Sequence, residues 1–140
     1  MNLMIDTNIL LDVLLKRQLF ARDAAMLFSA ADRKMCSGFI CATSVTTVDY
    51  VLSKAIGKTK SLLAIKNLLS LFQVAPVDHS VLQSATAIGF SDFEDAVLHQ
   101  AAAAVHADFI VTRNPGDFKK AAIPVHTPTE MLLILRAKQN

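Results

Sequence analysis

The sequence has few of the features that identify membrane-spanning, secreted or zinc-binding proteins. Its longest uninterrupted apolar runs are five residues, as at 101–105 and 131–135, whereas a bilayer span needs about 20. No basic segment precedes the first apolar residues, which Asp6 soon interrupts, so the N-terminus does not resemble a signal peptide. The two cysteines, Cys36 and Cys41, lack zinc-ligand spacing and are predicted to be buried thiols. These absences predict a cytoplasmic protein without a membrane segment.

Charge and composition are those of an ordinary globular domain. Fourteen Lys and Arg against 12 Asp and Glu give a net charge of +2 in 140 residues, which excludes a histone-like polyelectrolyte. The hydrophobic fraction of 53% supports a core and excludes disorder. It also exceeds what the core of a small monomer needs, which predicts an apolar surface for a dimer or a partner. No linker or repeat divides the chain, so residues 1–140 are predicted to form one domain.

Short apolar runs alternate with longer helical patterns, and this order predicts an α/β fold with a parallel sheet. The predicted strands are residues 3–6, 39–42, 74–77, 108–112 and 123–126. The predicted helices are residues 9–15, 21–31, about 43–56, 61–72, an alanine-rich segment that begins near 91, and 128–136. Pro76 predicts an edge position for the third strand, because proline cannot donate to a sheet ladder. Ser91 and Glu94 predict a capping box at the start of the alanine-rich helix.

Acidic and amide side chains are predicted at the carboxyl ends of several strands, where the sites of open α/β sheets form. The set consists of Asp6, Thr7 and Asn8 after the first strand, Asp49 inside the third helix, Asp92 and Asp95 at the start of the alanine-rich helix, and Asn114 and Asp117 after the fourth strand. Carboxylates gathered in this way repel one another, so a bound cation is predicted to neutralise them. Oxygen donors without a Cys/His cluster favour Mg²⁺ or Mn²⁺.

The motifs that carry these residues resemble those of PIN-domain ribonucleases. Residues 4–12 (MIDTNILLD) look like the opening motif of that family, and the segments 92–97 (DFEDAV), 110–114 (IVTRN) and 117–118 (DF) are similar to its later motifs. The resemblance spans nearly the whole chain. It implies a single PIN-like (Rossmann-like) three-layer domain with a short central parallel β-sheet flanked by helices. It also implies a metal-dependent endoribonuclease, most often the toxin of a VapBC-type toxin–antitoxin pair, with a homodimeric state and a small antitoxin partner.

The resemblance also implies a role for each acidic residue. Asp6 and Asp95 match metal-binding carboxylates, and Asp92 is an acidic neighbour three residues before Asp95. Asp49 stands where the family usually has a glutamate, so it joins Asp6 and Asp95 in the expected catalytic set. Asp92 and Asp117 join Asp6 and Asp95 as the expected metal ligands.

The remaining expected site residues position water or phosphate. Asn114 stands where the family often has an aspartate, and its amide brings no charge. Thr7, Asn8 and Arg113 are expected to help Asn114 hold water or an RNA phosphate beside the ion. The hypothesis is that one or two Mg²⁺ or Mn²⁺ ions lower the pKa of a water that attacks an RNA phosphodiester.

Structural interpretations stand beside these functional ones. Asn8 also fits as the cap of the first helix, and Asp92 and Glu94 are favourable at any helix N-terminus. Asp12 is predicted to be a solvated helix residue, and His99 to be a surface or hydrogen-bonded histidine. Four phenylalanines are predicted to belong to the core: Phe90, Phe93, Phe109 and Phe118.

Two other function classes remain open from the sequence. A catalytically inactive PIN-fold RNA-binding or protein-interaction module would account for Asn114. A phospho-acceptor signalling domain also places acids at strand ends, but it requires a lysine at the end of the last strand, where residues 125–127 read Val-His-Thr. Two basic groups are interpreted either as an RNA-facing rim or as solvated charges: Lys16, Arg17 and Arg22, and Lys54, Lys58 and Lys60.

Overall fold

Five short parallel strands form the centre of the protein, whose computed structural model describes residues 1–139. The strands are β1 (Asn2–Ile5), β2 (Ser37–Cys41), β3 (Gln73–Ala75), β4 (Phe109–Val111) and β5 (Val125–His126). Their order is β3-β2-β1-β4-β5, and every neighbouring pair is parallel. The predicted α/β class with a parallel sheet is therefore confirmed, and β3 has the predicted edge position.

Helices cover both faces of this sheet. They are α1 (Thr7–Leu14), α2 (Ala21–Asp32), α3 (Ala42–Ile56), α4 (Lys58–Leu71), α5 (His79–Ala85), α6 (Phe93–Ala104) and α7 (Pro128–Gln139), with a 3₁₀ turn at Pro115–Phe118. Alternate residues of β1 enter different cores: Leu3 and Ile5 pack with α1–α4 and α7, and Met4 packs with α5 and α6. This alternation follows from the two-residue period of a strand. The result is a three-layer arrangement, in which the sheet lies between two layers of helices.

The sequence patterns located most elements within two or three residues and failed at α5. That helix has seven residues and is capped by Asp78, whose Oδ1 accepts the Val81 N–H at 2.9 Å. The predicted capping box was wrong by one position, because Asp92 and not Ser91 is the N-cap of α6. The two cysteines are buried free thiols, as predicted.

The aromatic predictions had mixed outcomes. Phe118 is buried, and Phe90 and Phe109 are partly buried against the two cores. Phe93 is 52% exposed, so its assignment to the core was wrong. Phe93 is the first residue of α6, and the buried residues of that helix begin only at Ala96.

Within residues 1–139, no helix is both long and apolar enough to cross a membrane.

Candidate active site

Asp6 is the first residue after the central strand and is held by backbone and side-chain hydrogen bonds. Its N–H donates to the Val111 carbonyl at 2.9 Å. Its Oδ1 caps α1 by accepting the Thr7 N–H at 2.8 Å, and its Oδ2 accepts the Thr112 hydroxyl at 2.7 Å. The side chain is only 7% exposed. Both carboxylate oxygens are thus fixed in direction at the carboxyl end of the sheet.

Thr112 is a functional candidate that sequence reasoning missed. It is fully buried, and its Oγ1 also accepts the N–H of Asn114 at 3.2 Å and lies 3.5 Å from the amide nitrogen of Asn8. The parallel register that pairs Ile5 with Val111 places Thr112 beside Asp6. The signal in the sequence was that Thr112, like Asp6, stands at the carboxyl end of a predicted strand, where the side chains of neighbouring strands meet.

The start of α6 contributes three more acidic side chains. Asp92 caps the helix by accepting the Asp95 N–H at 3.0 Å, and Glu94 and Asp95 occupy the first turn. Negative charge is favourable at a helix N-terminus because the backbone N–H groups there point outward. Glu94 also lies 3.4 Å from the hydroxyl of Thr47 in α3, so α3 borders the same region.

The carboxylates of three segments act on one another. Burial, the largest cause, acts together with the charges of Asp6, Asp92, Asp117 and Glu94 to raise the pKa of Asp95 from 3.8 to about 7. Burial also raises the pKa of Asp6, while its hydrogen bonds from Thr112 and Thr7 oppose the rise and the charges of Glu94 and Asp117 support it. Five acids from β1, α6 and the 3₁₀ turn therefore form one cluster, which we call the acidic cluster.

None of the five acids of the acidic cluster forms an ion pair with a side chain of residues 1–139. In the part of the chain that the structure describes, the ion pairs are Asp12 with Arg17 and Arg113, and His126 with Glu130. Its donors are all carboxylate oxygens, which suit Mg²⁺ or Mn²⁺. Among residues 1–139, no three acidic, histidine or cysteine side chains are gathered tightly enough to enclose an ion as they stand. The charge and donor chemistry fit a divalent cation, although these side chains do not form a closed cage.

Asp49 lies elsewhere. Its Oδ1 accepts hydrogen bonds from Ser61 of α4 at 2.7 Å and from Ser53 at 3.1 Å, and it is not among the charges that raise the pKa of Asp6 or Asp95. The side of α3 that meets the site carries Ser44, whose Oγ accepts the Thr7 hydroxyl at 2.7 Å. The structure thus brings Asp6, Asp92, Asp95 and Asp117 together and leaves Asp49 to join α3 with α4.

Asp12 is not a solvated residue, so that prediction was wrong. It is 1% exposed, with Arg17 Nη1 at 3.4 Å and Arg113 Nε at 3.3 Å from its carboxylate oxygens. The contact with Arg113 Nε is an ion pair without the geometry of a hydrogen bond. The Arg113 guanidinium also lies over the Phe20 ring, 4.1 Å from its centre. The two arginines neutralise a charge that burial would otherwise disfavour, and Arg113 is engaged away from the acidic cluster.

The other expected polar residues lie around Asp6. The Arg113 backbone N–H is 3.4 Å from Asn8 Oδ1, and Asn114 is exposed beside Thr112.

His99 is buried, with Nδ1 2.7 Å from Gln100 Oε1 and Nε2 accepting the Ala122 N–H at 3.1 Å. The interpretation of His99 as a hydrogen-bonded histidine is confirmed.

The fold and its site define a PIN domain. The family model described as PIN domain matches residues 2–115, and the chain belongs to this family. This membership disfavours the phospho-acceptor hypothesis. No curated protein sequence matches the chain significantly.

Solved structures with the same fold include components of toxin–antitoxin complexes. A chain of VapBC2 from Rickettsia felis, bound to a DNA fragment from its promoter, has a TM-score of 0.72 at 16% identity, covering 91% of this chain and 98% of its own. A toxin–antitoxin complex from Klebsiella pneumoniae gives 0.68 at 23% identity, with 89% and 96% covered. VapC20 of Mycobacterium tuberculosis, a toxin that cleaves the sarcin–ricin loop, gives 0.63 at 12% identity, with 77% and 86% covered. At these identities the likeness shows a shared fold.

Proposed function

We propose that the protein is a metal-dependent endoribonuclease and the toxin component of a type II toxin–antitoxin system. The acidic cluster without a cationic partner carries this proposal. Membership of the PIN domain family supports it, as does the shared fold with VapC20, a toxin that cleaves the sarcin–ricin loop. The family resemblance supports a small antitoxin encoded nearby, a homodimer and a cytoplasmic location.

Asp6 and Asp95 are the proposed principal ligands, with Asp92 and Asp117 beside them. When bound, Mg²⁺ or Mn²⁺ supplies an activated water and neutralises charge on the phosphodiester. Thr112 and the Thr7 N–H orient the Asp6 carboxylate. Because the pKa of Asp95 is raised to about 7, about half of the metal-free molecules carry a proton on this side chain near neutral pH, and a bound cation would displace that proton.

The replacement Asp6→Asn tests the proposal. Asparagine is also a good helix cap, so the fold is expected to survive while the ligand charge is lost. Divalent-dependent RNA cleavage should fall about 100-fold or more, since metal assistance contributes several kcal/mol and each 1.36 kcal/mol is tenfold in rate. RNA cleavage with Mg²⁺, Mn²⁺ or EDTA gives the readout, and circular dichroism checks the fold.

Asp32→Asn is the matched control, because Asp32 is an exposed acid at the end of α2 and outside the acidic cluster. Its activity should equal that of the parent. Undiminished cleavage by a folded Asp6→Asn variant contradicts the proposal.

A catalytically inactive PIN-fold module is the second candidate. Asn114 brings an amide where a carboxylate would add charge, and the acids of residues 1–139 do not enclose an ion as they stand. Isothermal titration with Mn²⁺ separates the two candidates. A nuclease site binds Mn²⁺ and loses this binding in Asp6→Asn, whereas an inactive module shows no binding that depends on that carboxylate.

A further inference from the structure

Arg113 lies within a segment that contributes to the acidic cluster at both of its ends. We call residues 112–117 the site segment. Thr112, directly before Arg113, donates its hydroxyl to Asp6 Oδ2, and Asp117 belongs to the acidic cluster. Arg113 therefore stands between two residues that act on the proposed metal site. Any contact that fixes Arg113 also restricts the backbone that joins them.

The side chain of Arg113 is held by α1 and by the loop that follows α1. Its buried Nε lies 3.3 Å from Oδ2 of Asp12, and its guanidinium lies over the Phe20 ring, 4.1 Å from the ring centre. Arg17, on the same loop, lies 3.4 Å from the other carboxylate oxygen of Asp12. We call Asp12, Arg17 and Phe20 the Arg113 anchor.

Asp12 is a costly residue at a buried position of α1. Removing a charge from water carries a large desolvation penalty, and replacing a buried ion pair by well-packed apolar residues is often neutral or stabilising. The stability of the fold alone therefore does not account for a buried acid with two arginines. An apolar residue at this position could not attract and orient the guanidinium of Arg113.

The loop that completes the anchor is strained. Lys16 and Leu19 have φ angles of 51° and 76°, in the left-handed region that residues other than glycine rarely adopt. Leu19 is also 95% exposed, so its own burial does not offset the strain. Strained residues persist where the surrounding contacts over-determine them, and they cluster at functional sites. The strained turn is what places Arg17 and Phe20 in the anchor.

We propose that Arg113 is a positioning residue, held by its anchor so that the site segment keeps Thr112 and Asp117 at the metal site. Arg113 acts through these two residues and not by touching the ion or the RNA. Residues that orient metal ligands in this way typically alter metal affinity about 10- to 100-fold. The metal part of this proposal rests on the proposed function, whereas the anchoring of the site segment does not.

Hydrogen exchange in the metal-free, full-length protein tests the anchoring. The Asn114 N–H donates to Thr112 Oγ1 at 3.2 Å, and the Asp117 N–H donates to the Asn114 carbonyl at 3.0 Å. Arg113→Met removes the charge and the planar group, and it should speed the exchange of both amides about tenfold. Arg113→Lys keeps the charge without the planar fork and should have an intermediate effect. Exchange measured by NMR resolves the individual amides.

Two control variants separate anchoring from a general loss of stability. Arg33→Met removes an exposed arginine at the end of α2 that forms no ion pair within residues 1–139. Leu68→Ala removes a buried side chain of α4 and lowers the stability of the core. Neither variant should change the exchange of the Asn114 and Asp117 amides, because local opening of a segment differs from global unfolding.

A double-mutant cycle tests whether Asp12 acts through Arg113. Asp12→Asn should speed the exchange of the same amides about as much as Arg113→Met, and the two changes together should add little to either alone. If Asp12→Asn does not fold, Phe20→Leu takes its place in the cycle, because it removes the ring under the guanidinium at a residue that is 38% exposed.

Isothermal titration with Mn²⁺ tests the effect on the metal site. Arg113→Met should bind Mn²⁺ about 10- to 100-fold more weakly than the parent, and Arg33→Met should bind it as the parent does. A parent that binds no Mn²⁺ contradicts the proposed function and with it the metal part of this proposal. The exchange rates still decide the anchoring in that case.

Three further outcomes overturn the proposal. They are unchanged exchange of the Asn114 and Asp117 amides in Arg113→Met, additive effects of Asp12→Asn and Arg113→Met, and faster exchange with undiminished Mn²⁺ affinity. Weaker RNA binding by Arg113→Met in EDTA, with unchanged exchange, would assign Arg113 to the RNA instead.

Discussion

Asp6 of the acidic cluster is hydrogen-bonded to the buried side chain of Thr112. The Thr112 hydroxyl donates to Asp6 Oδ2, and this hydrogen bond opposes the rise in the pKa of Asp6 that burial causes. Thr112 therefore does two things for Asp6: it fixes the direction of one carboxylate oxygen, and it favours the ionised form that a cation requires. It is a positioning residue, because it acts through Asp6.

Replacing Thr112 by valine should remove the hydroxyl at nearly constant volume. We expect Mn²⁺ affinity and cleavage to fall about 10- to 100-fold, as for other residues that orient a metal ligand. Loss of the hydrogen bond should also cost about 1–3 kcal/mol of unfolding free energy. Thr112→Ser keeps the hydroxyl and should restore most of the affinity in isothermal titration. Equal affinities of the valine and serine variants would show that the hydroxyl has no positioning role.

The sequence predicted which segments carry the acids better than it predicted the direction in which each acidic side chain points. Asp6, Asp92, Asp95 and Asp117 were predicted from their places at strand ends and helix starts, which depend on local pattern. The direction of Asp49 depends on which side of α3 meets the site, and the packing of α4 decides this. Its hydrogen bond to Ser61 joins residues 12 apart, and no local period encodes it.

Gly38 in strand β2 affects the position of helix α4 because glycine has no side chain. A Cβ atom on Gly38 would lie 2.5 Å from Cδ1 of Phe72, at the end of α4. The Phe72 ring is held edge-to-face against Phe28 of α2, with ring centres 5.0 Å apart. The absence of a side chain at Gly38 lets the end of α4 approach the sheet.

Gly38→Ala should therefore destabilise the protein by about 1–3 kcal/mol, the usual cost of overpacking a core. Urea unfolding followed by circular dichroism measures the change. Gly116→Ala is the matched control, since nothing lies within 4 Å of a Cβ atom there, and its free energy of unfolding should be nearly unchanged. A Gly38→Ala variant as stable as the Gly116→Ala variant would show that Phe72 moves aside without cost.

The element that escaped prediction is a short one. Helix α5 has seven residues and depends on Asp78 as its cap, so its apolar residues span too few turns to show a period. The long helices and the central strand were recognised because their apolar positions repeat often enough to specify one buried side.

The acidic cluster makes the stability of the whole molecule depend on pH. The pKa of Asp95 is raised from 3.8 to about 7 in the folded protein. Between about pH 4 and pH 7 the folded state therefore binds a proton that the unfolded state has lost. The free energy of unfolding contributed by Asp95 falls as the pH rises through this interval and is constant above it. Ionised Asp95 destabilises the metal-free fold.

Asp95→Asn should consequently have a higher Tm than the parent at pH 8 in EDTA, and about the same Tm at pH 4. A difference of about 2–8 °C is expected, which corresponds to about 1 kcal/mol for domains of small to moderate size. Saturating Mn²⁺ should remove the advantage, because the ion stabilises the parent. Differential scanning fluorimetry across pH gives both curves. A Tm difference that does not grow between pH 4 and pH 8 would contradict the role assigned to Asp95.

Asp6 caps α1 as well as belonging to the acidic cluster, and this double use bears on how inactive relatives are recognised. A chain that had lost nuclease activity would still be under selection to keep Asp or Asn after its first strand, because the helix needs a cap. No structural requirement of this kind preserves Asp95, because its ionised form destabilises the fold. If the proposed function is correct, we therefore expect the residue at position 95 to distinguish active from degenerate PIN domains of this type better than the residue at position 6.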